Sequence, residues 1–396
     1  MAAAQRVLIV SEHPYPDHAT LRRNAGQLVE AGLEVDIVCL APANAGTGAG
    51  GHPSVHLHTL RMDHRRTGAL RYVQEYVGFF AWAFAVSTCL SLVHRYTAVL
   101  ADNPPDFLVF ASLVARIRGA RVVLEMFELT PELTAARMRM SPRHPMVRVT
   151  RAIERLAIWW ADQVIVVSEQ CRDMLASRGV DAGKMTVVPN TIPAPPEFGP
   201  PSHQPPPFVV THCSLIERYG VQVAIQAFAQ LCPRWPDLTF RVLGEGDYKP
   251  QLVQMVNDLG LTDRIVFRGF RPWIKAIEEI RQAEVGIVAI VADGYGELLL
   301  PTKLLEYADN EVPVACANLP TIRKHFPADA IGYFEPGDAA GLAAQLDRML
   351  RDRNAARAQA VRAKAAMRAL SWEILAPRYM AALGLNGAHP MAGAAA

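Results

Sequence analysis

Residues 285–308 read VGIVAIVADGYGELLLPTKLLEYA. The apolar run from Val285 to Val291 has the length and composition of a strand buried in a parallel sheet. Residues 292–300 predict a loop, and Pro301 suits the start of a helix because its fixed φ matches a first helical position. A buried strand followed by a loop and a helix predicts one βα unit of an α/β fold.

The start of this helix also carries the residues of a candidate anion site. Free backbone amides at a helix start attract anions. Lys303 lies in the first turn, and Glu306 shares its face three residues later. The amides and Lys303 would bind a diphosphate, and Glu306 would accept hydrogen bonds from a sugar diol, which predicts a nucleotide-sugar site. The alternative is a capped surface helix with a Lys303–Glu306 ion pair, and a motif this short does not separate the two.

Composition favours a globular protein of two or three domains. The chain has 396 residues, of which 51% are hydrophobic and 20% charged, and its net charge is +2. So small a charge gives no reason to expect a nucleic-acid partner. The six cysteines are scattered and none forms a CxxC motif, so we expect neither a disulfide framework nor a zinc site. This usage is typical of a reduced, cytoplasmic protein.

Proline density marks the main domain boundary. Eight of the fifteen residues from Pro193 to Pro207 are proline, which favours extended polyproline II geometry. On both sides of this segment, short apolar runs alternate with amphipathic helical patterns, which predicts two doubly wound, Rossmann-like domains. The predicted divisions are a first domain over residues 1–192, a linker over 193–207, a second domain over 208–370, a C-terminal helix over 371–385 that packs back on the first domain, and a disordered tail over 386–396.

One segment bears on membrane topology. The eighteen residues from Tyr76 to Val93 carry no formal charge, and this length is the lower limit for a membrane span. Their Ala, Ser, Thr and Gly content favours a buried amphipathic helix instead. The N-terminus leads from MAAAQR directly into a strand pattern, so we expect no signal peptide.

Three further segments of the second half follow predicted strands. They read HCSLIERYG at 212–220, GEG at 244–246 and RGFR at 268–271. Each alone is typical of a plain strand-end turn. Since the carboxyl ends of parallel strands meet at one edge of a sheet, we expect these segments and the Lys303 helix to surround one ligand. Arg218 would offer phosphate a bidentate fork, and the glycines would allow close approach.

In this order, the segments resemble the donor domain of GT-B glycosyltransferases, in particular the retaining group usually called family 4. The matching motifs of the second half are SLIERYG at 214–220, GEG at 244–246, FRGF at 267–270 and KLLEYA at 303–308. The first half is similar to the same family in NPPDFL at 103–108, VVLEMFELTPE at 122–132 and VVPN at 187–190. The resemblance covers most of residues 6–383 and implies two Rossmann-like domains facing across a cleft, the first on the acceptor side and the second on the donor side.

The resemblance also implies a reaction and a set of residues. The reaction is sugar transfer from a nucleotide sugar, with a UDP- or GDP-sugar expected, to a glycan or lipid-linked acceptor in cell-surface polysaccharide biosynthesis, with retention at the anomeric carbon. No metal and no cofactor other than the nucleotide-sugar co-substrate is implied. The implied catalytic residues are Arg218, Lys303 and Glu306. The implied donor-binding residues are Gly220, Gly244, Gly246, Gly269, Phe270, Glu297, Pro301 and Thr302. The implied acceptor-binding residues are Glu12, His13, Tyr15, Asp102 and Glu128.

Several positions depart from the family pattern. Leu298 stands where the family often has a first glutamate, and Glu297 could replace it only if the loop bulges. Cys213-Ser214 and Tyr219 replace a usual Gly-Arg and Lys, and Phe127 replaces a common histidine. Two alternatives therefore stay open, a catalytically weak nucleotide-sugar-binding protein and a nucleotide-sugar epimerase of the same fold.

Two clusters of charged or metal-binding residue types have simpler interpretations. His52, His56, His58 and His64 include no closed ligand set with cysteine or carboxylate, so a structural or solvated role is favoured over a metal site. Basic residues at 61–66 and 137–151 are typical of a solvated face. Both runs lie in the acceptor half, so contact with anionic lipid at the inner membrane surface is a further expectation.

Overall fold

The computed structural model describes residues 5–41, 52–62, 69–192, 198–199 and 206–385. The chain forms two compact units, one comprising the residues up to Pro189 and from Trp372 onward, the other Asn190–Ser371. Most of the predicted linker and the whole predicted tail over 386–396 lie outside the described residues.

The first unit is built on a seven-stranded parallel sheet of order β3-β2-β1-β4-β5-β6-β7. Its strands are β1 Arg6–Val10, β2 Glu34–Leu40, β3 Val55–Leu60, β4 Ala98–Asp102, β5 Arg121–Met126, β6 Gln163–Val166 and β7 Met185–Val187. Its helices are α1 Ala19–Glu30, α2 Ala69–Val93, α3 Leu113–Ile117, α4 Thr130–Arg137, α5 Pro145–Trp160, α6 Glu169–Ser177 and, from the C-terminus, α14 Trp372–Ala382. A 3₁₀ helix, Asp106–Ser112, precedes α3.

The central strand β1 shows why helices cover both faces of this sheet. Successive side chains of a strand point to opposite faces. Val7 and Ile9 lie in a core cluster with Tyr379 of α14, whereas Leu8 and Val10 lie in a second cluster with Phe79 of α2. The C-terminal helix α14 therefore belongs to the core of the first unit.

Helix α2 has one buried stripe rather than being buried all round. From Gln74 to Val93 it is long and apolar enough to cross a membrane by length and composition, yet only 28% of its most apolar window is buried. Its buried positions recur every fourth residue, at Phe79, Ala83, Ser87 and Ser91. The prediction of a buried helix is thus right for one face only.

The second unit has a six-stranded parallel sheet of order β10-β9-β8-β11-β12-β13. Its strands are β8 Phe208–His212, β9 Thr239–Leu243, β10 Ile265–Gly269, β11 Val285–Val288, β12 Val314–Ala317 and β13 Gly332–Phe334. Its helices are α7 Val221–Leu231, α8 Lys249–Asp258, α9 Trp273–Ile280, α10 Thr302–Asp309, α11 Pro320–His325, α12 Ala339–Arg351 and α13 Arg353–Met367. Two parallel α/β units confirm the fold class expected from the alternation of apolar runs and helical patterns.

Candidate functional site

The Lys303 ammonium is buried and has no oxygen acceptor among the residues that the structure describes, although it lies against the Cys213 thiol. Lys303 is only 4% exposed, in the first turn of α10. Its Nζ lies 5.0 Å from the centroid of the Tyr219 ring. Burial raises the pKa of the adjacent Cys213 thiol, and the Lys303 charge opposes that rise. A desolvated cation in this setting is stabilised by an anion, so the position suits an anionic ligand.

Glu306, one turn further along α10, is held at both carboxylate oxygens. Trp273 donates its indole N–H to Oε1 at 2.8 Å, and the His212 ring contacts Oε2 through Nε2. The other ring nitrogen of His212, Nδ1, lies 3.0 Å from the Tyr307 hydroxyl. The carboxylate is therefore fixed in orientation by residues from β8 and α9.

Sequence reasoning did not find His212 or Trp273. His212 directly precedes the basic turn, and Trp273 is the first residue of α9. Neither position shows a pattern that points to a residue 94 or 33 positions away. Their polar rings are the only available signal, since a polar ring at a strand end or helix start is suited to a hydrogen bond at the sheet edge.

Arg218 is part of an ion pair inside the same unit. Its Nε donates to Asp293 Oδ2 at 2.7 Å, and its guanidinium lies 4.6 Å from the Tyr295 ring centroid. The Arg218 side chain is 10% exposed. A diphosphate at Arg218 would therefore have to compete with Asp293, a residue that the motif comparison did not single out.

Glycines pack the strand-end segments of the second unit against one another. Gly220 has a φ of 67°, and a Cβ there would lie 1.7 Å from the Ala289 carbonyl oxygen. Gly244 has a φ of 129°, and its Cβ would lie 1.9 Å from the Cys213 oxygen. A Cβ at Gly246 would lie 2.4 Å from the Leu215 oxygen. At Gly244 and Gly246 the protein's own backbone thus occupies the space of a Cβ, and their role in donor binding stays a prediction.

The loop before α10 is closed by its own carboxylates. Asp293 Oδ1 accepts a hydrogen bond from the Gly296 amide at 2.7 Å, and Glu297 Oε2 accepts one from the Gly294 amide at 2.9 Å. Leu298 is only 6% exposed, at the position of the family's first glutamate. The Glu297 carboxylate therefore accepts a hydrogen bond inside the loop, and its replacement of that glutamate stays a prediction.

The remaining predicted donor residues lie at neighbouring ends of the sheet. Pro301 is the N-cap of α10 rather than its first helical residue, and Thr302 is exposed in the first turn. Gly269 ends β10 with a φ of 69°, and the Phe270 ring that follows is 75% exposed. An exposed aromatic ring at this edge suits contact with a nucleobase.

In the first unit, Asp102 is interior rather than accessible to an acceptor. Asp102 and Glu125, on the adjacent strands β4 and β5, are each 1% exposed. Burial, followed by the charge of Glu125, raises the pKa of Asp102 well above its ordinary value. Asn24 donates to Glu125 Oε2 at 2.7 Å, and the buried Arg23 partly offsets the raised pKa of Glu125. Asp102 and Glu125 therefore belong to the interior of the first unit, and contact of Asp102 with an acceptor stays a prediction.

An aromatic stack covers the ends of β1 and β5. The rings of His13 and His18 are parallel with centroids 4.0 Å apart, and Phe127 lies 5.9 and 5.6 Å from them. His18 Nδ1 accepts a hydrogen bond from the Leu21 amide and so caps α1. Burial and two arginines lower the pKa of His18 to about 4, so its ring is neutral near pH 7.

The other predicted acceptor residues surround this stack. Glu12 is 5% exposed after β1, and burial raises the pKa of the nearby Tyr15 hydroxyl. Asn103 fixes the loop at Glu128, because its Nδ2 donates to the Glu128 carbonyl at 2.7 Å. Asn103 also donates to Asp106 Oδ1, so the NPPD segment has a structural role that the motif comparison did not specify.

The histidines of β3 lie within hydrogen-bonding distance of carboxylates on the neighbouring strand β2. His56 Nε2 lies 2.7 Å from Glu34, and His58 Nε2 lies 2.9 Å from Asp36. Within the described ranges, no group of three or more His, Cys, Asp or Glu side chains could hold a metal ion. His64 and the basic residues at 63–66 lie outside those ranges.

Two family models together match most of the chain. The model described as "Glycosyl transferase 4-like domain" matches residues 18–191, and that described as "Glycosyl transferases group 1" matches residues 206–352. The two matches correspond closely to the two structural units.

Curated relatives match parts of the chain. It is 30% identical over 215 residues to a 2-deoxystreptamine glucosyltransferase of Streptomyces kanamyceticus, covering 48% of this chain and 54% of that protein. It is 27% identical over 140 residues to WcaL of Escherichia coli, named as a colanic acid biosynthesis glycosyltransferase, covering 35% and 34%. The chain thus spans about half or less of the length of these relatives.

Solved structures share the fold. Sucrose-phosphate synthase of Thermosynechococcus elongatus superposes with a TM-score of 0.74 at 17% identity, covering 95% of this chain and 97% of that one. HepE of Anabaena, solved with UDP, gives a TM-score of 0.68 at 18% identity, covering 96% and 100%. These similarities confirm the predicted two-domain architecture.

Proposed function

Because the chain belongs to the group 1 glycosyltransferases of the GT-B fold, we propose that it moves a sugar from a nucleoside diphosphate sugar to a hydroxyl of a glycan or lipid-linked acceptor, with retention at the anomeric carbon. The observation that carries the proposal is the Lys303 ammonium, buried at the start of α10 and without an oxygen acceptor among the described residues. A diphosphate would supply its counter-charge through charge-assisted hydrogen bonds.

The proposed chemistry is departure of a nucleoside diphosphate. As the bond from the anomeric carbon to the diphosphate breaks, negative charge grows on the leaving oxygen. Lys303 and the free amides of the first turn of α10 would stabilise that charge where it develops. Arg218 would join them by exchanging Asp293 for a phosphate oxygen. This set of cations makes no metal ion necessary in the proposed reaction.

Glu306 is proposed to hold the ribose of the nucleotide. Each carboxylate oxygen has two lone pairs, and each accepts one hydrogen bond inside the protein. One acceptor position per oxygen therefore remains for the ribose hydroxyls. His212 and Trp273 would keep the carboxylate turned toward them.

The proposed donor is a UDP-sugar, with a GDP-sugar as the next choice. HepE, whose fold is shared, is solved with UDP and with UDP-glucose. A polysaccharide or lipid-linked glycan as acceptor is supported by the name of the WcaL relative.

A second candidate function is nucleotide-sugar binding without transfer. It is favoured by two observations, the buried Leu298 in place of the family's first glutamate and the use of Glu297 within its own loop. Phe127, which replaces a histidine at the acceptor side, points in the same direction.

The test combines binding with product analysis. Calorimetry against UDP, GDP, ADP and dTDP identifies the base, and NMR of products from the matching nucleotide sugar reports the anomeric configuration. Glu306→Ala should lower affinity for the preferred nucleotide at least about tenfold, since hydrogen bonds to a charged group contribute roughly 1.5–3 kcal/mol.

Glu278→Ala is the matched control, because Glu278 is a carboxylate on α9, the helix that Trp273 begins, and its side chain is 41% exposed. Equal affinity in Glu306→Ala and the control would rule out the donor-site assignment. Nucleotide binding without transfer to any acceptor of a panel would support the second candidate, and a product of inverted configuration would contradict the retaining reaction.

A further inference from the structure

Helix α2 presents an apolar outer face although its inner face is packed. Phe79 and Ala83 are 0% exposed and belong to the core of the first unit, so the helix cannot leave the fold without opening that core. On the other side, Val77, Leu92 and Val93 are 53%, 61% and 75% exposed. Glu75, the one acidic residue from 74 to 93, is buried.

Aromatic contacts join α2 to α5 through the 3₁₀ helix Asp106–Ser112. Phe80 of α2 meets Phe107 edge-on at 5.4 Å. Phe110, on the same 3₁₀ helix, meets Trp160 of α5 at 5.7 Å. Next to Trp160, the ring of Trp159 is 70% exposed. Helices α2 and α5 therefore flank the same 3₁₀ helix, and their outer sides form the candidate surface.

The outer side of α5 combines apolar and basic side chains. Val149 and Leu156 are 58% and 51% exposed, and Arg148 and Arg155 are exposed beside them. The one acidic residue of α5, Glu154, is 1% exposed and bonded to Arg178 at 2.8 Å. The exposed charge of this helix is therefore carried by arginines alone.

We propose that this surface docks on an anionic lipid bilayer, with α2 and α5 lying in the interface. The docking face comprises Val77, Leu92, Ile117, Val149, Leu156 and Trp159. Apolar and tryptophan side chains suit the boundary between headgroups and acyl chains, and arginines without exposed acids suit anionic headgroups. Of the basic runs that suggested lipid contact from the sequence, this face includes Arg148, which lies in the run over 137–151.

The geometry makes α2 a peripheral element rather than a membrane span. A spanning helix would have to expose its buried stripe of Phe79, Ala83, Ser87 and Ser91. Docking requires no such opening, because the apolar face already points outward. The inference is independent of the donor site in the second unit.

The experiment is co-sedimentation of the full chain with vesicles. We expect binding to phosphatidylcholine vesicles that contain phosphatidylglycerol, weaker binding to phosphatidylcholine alone, and loss of binding at high salt. Arg148→Ser with Arg155→Ser should lower the partition coefficient by about fivefold per arginine. Leu156→Ala with Trp159→Ala should lower it at least about tenfold through lost apolar burial.

The matched control makes the same kinds of change on the second unit. Val361 is 55% exposed on α13 and Arg357 is exposed nearby, so Val361→Ala with Arg357→Ser should leave vesicle binding unchanged. Thermal unfolding of every variant checks that the fold is intact. Absence of vesicle binding by the wild type overturns the proposal. A second result would also overturn it. If the wild type forms a dimer in solution, does not bind vesicles, and is made monomeric by the Leu156 and Trp159 changes, the face binds a second copy of the chain instead.

Discussion

Replacing Lys303 with methionine should stabilise the protein without ligand and weaken its binding to diphosphates. Methionine keeps most of the side-chain length and removes the charge. In the structure the ammonium is 4% exposed, has no oxygen acceptor among the described residues, and has only the weak acceptor of the Cys213 thiol beside it. Its interaction with the Tyr219 ring at 5.0 Å offsets only part of the cost of its desolvation. A substitution that raises stability and lowers ligand affinity indicates that the cation serves ligand binding rather than folding.

The magnitudes follow from the burial of this one group. An unsatisfied buried donor costs about 1–3 kcal/mol, so Lys303→Met should raise the free energy of unfolding by an amount in this range. For a domain of this size, each 1 kcal/mol corresponds to about 2–4 °C in Tm. The loss of charge-assisted hydrogen bonds worth roughly 1.5–3 kcal/mol lowers affinity for a nucleoside diphosphate about 10- to 150-fold.

Differential scanning fluorimetry and calorimetry measure the two quantities on the same samples. Affinity for the free nucleoside should change little, because it has no phosphate. Lys275→Met is the matched control, since Lys275 is 66% exposed and pairs with Glu278 at 2.7 Å. A lower Tm of Lys303→Met together with unchanged diphosphate affinity would refute the reasoning, because the ammonium would then be structural.

Three further predictions test other parts of the two units. Arg218→Ala should weaken the binding of a nucleoside diphosphate more than the binding of the free nucleoside. Asp293→Ala should tighten the binding of the diphosphate, because it frees Arg218 from its 2.7 Å ion pair. Calorimetry measures these affinities, and equal losses for both ligands in Arg218→Ala would contradict the phosphate role of Arg218. Gly244→Ala should lower the free energy of unfolding by more than about 2 kcal/mol in urea, because its φ is 129° and a Cβ would lie 1.9 Å from a carbonyl oxygen. Gly26→Ala, in α1 with nothing within 4 Å of the added Cβ, should stabilise by about 0.5–1 kcal/mol. Burial raises the pKa of Asp102 well above 3.8, so at pH values above 3.8 the folded state binds more protons than the unfolded state. The stability of the protein should therefore fall as the pH rises above that value. Asp102→Asn should accordingly exceed the wild-type Tm near pH 8 and match it near pH 4, and a constant difference across this range would contradict the assignment.

Strands were the most predictable elements of the fold. The runs RVLIV at 6–10 and FVVTH at 208–212 are strands with the predicted bounds, because a buried parallel strand needs a short apolar run and little else. Helices with few large apolar side chains escaped prediction. In α13, alanines supply most of the buried positions, so the apolar periodicity is weak. The sequence pattern from Phe107 to Arg118 predicts one helix, whereas the structure has a 3₁₀ helix followed by the short α3.

The candidate site was predictable only where its residues are close in sequence. Lys303 and Glu306 are three positions apart, and helical geometry alone places them on one face. Trp273, His212 and Asp293 reach the site from other elements, and no local pattern connects them to α10. Gly244 is a different case, because a glycine in the sequence is equally compatible with a ligand or with a neighbouring loop beside it. Its position after a strand therefore does not tell which of the two it contacts.

By itself, the sequence determined the alternation of strands and helices, and with it two parallel α/β units, since both depend on local periodicity. It also placed a lysine and a glutamate at one helix start. Only the tertiary structure decided which groups are buried and what they touch. It left Lys303 without an oxygen acceptor among the described residues, fixed Glu306 between His212 and Trp273, and buried Asp102. The physical reason is that desolvation and hydrogen bonding depend on distances through space, which residues far apart in the chain acquire only when the sheets assemble.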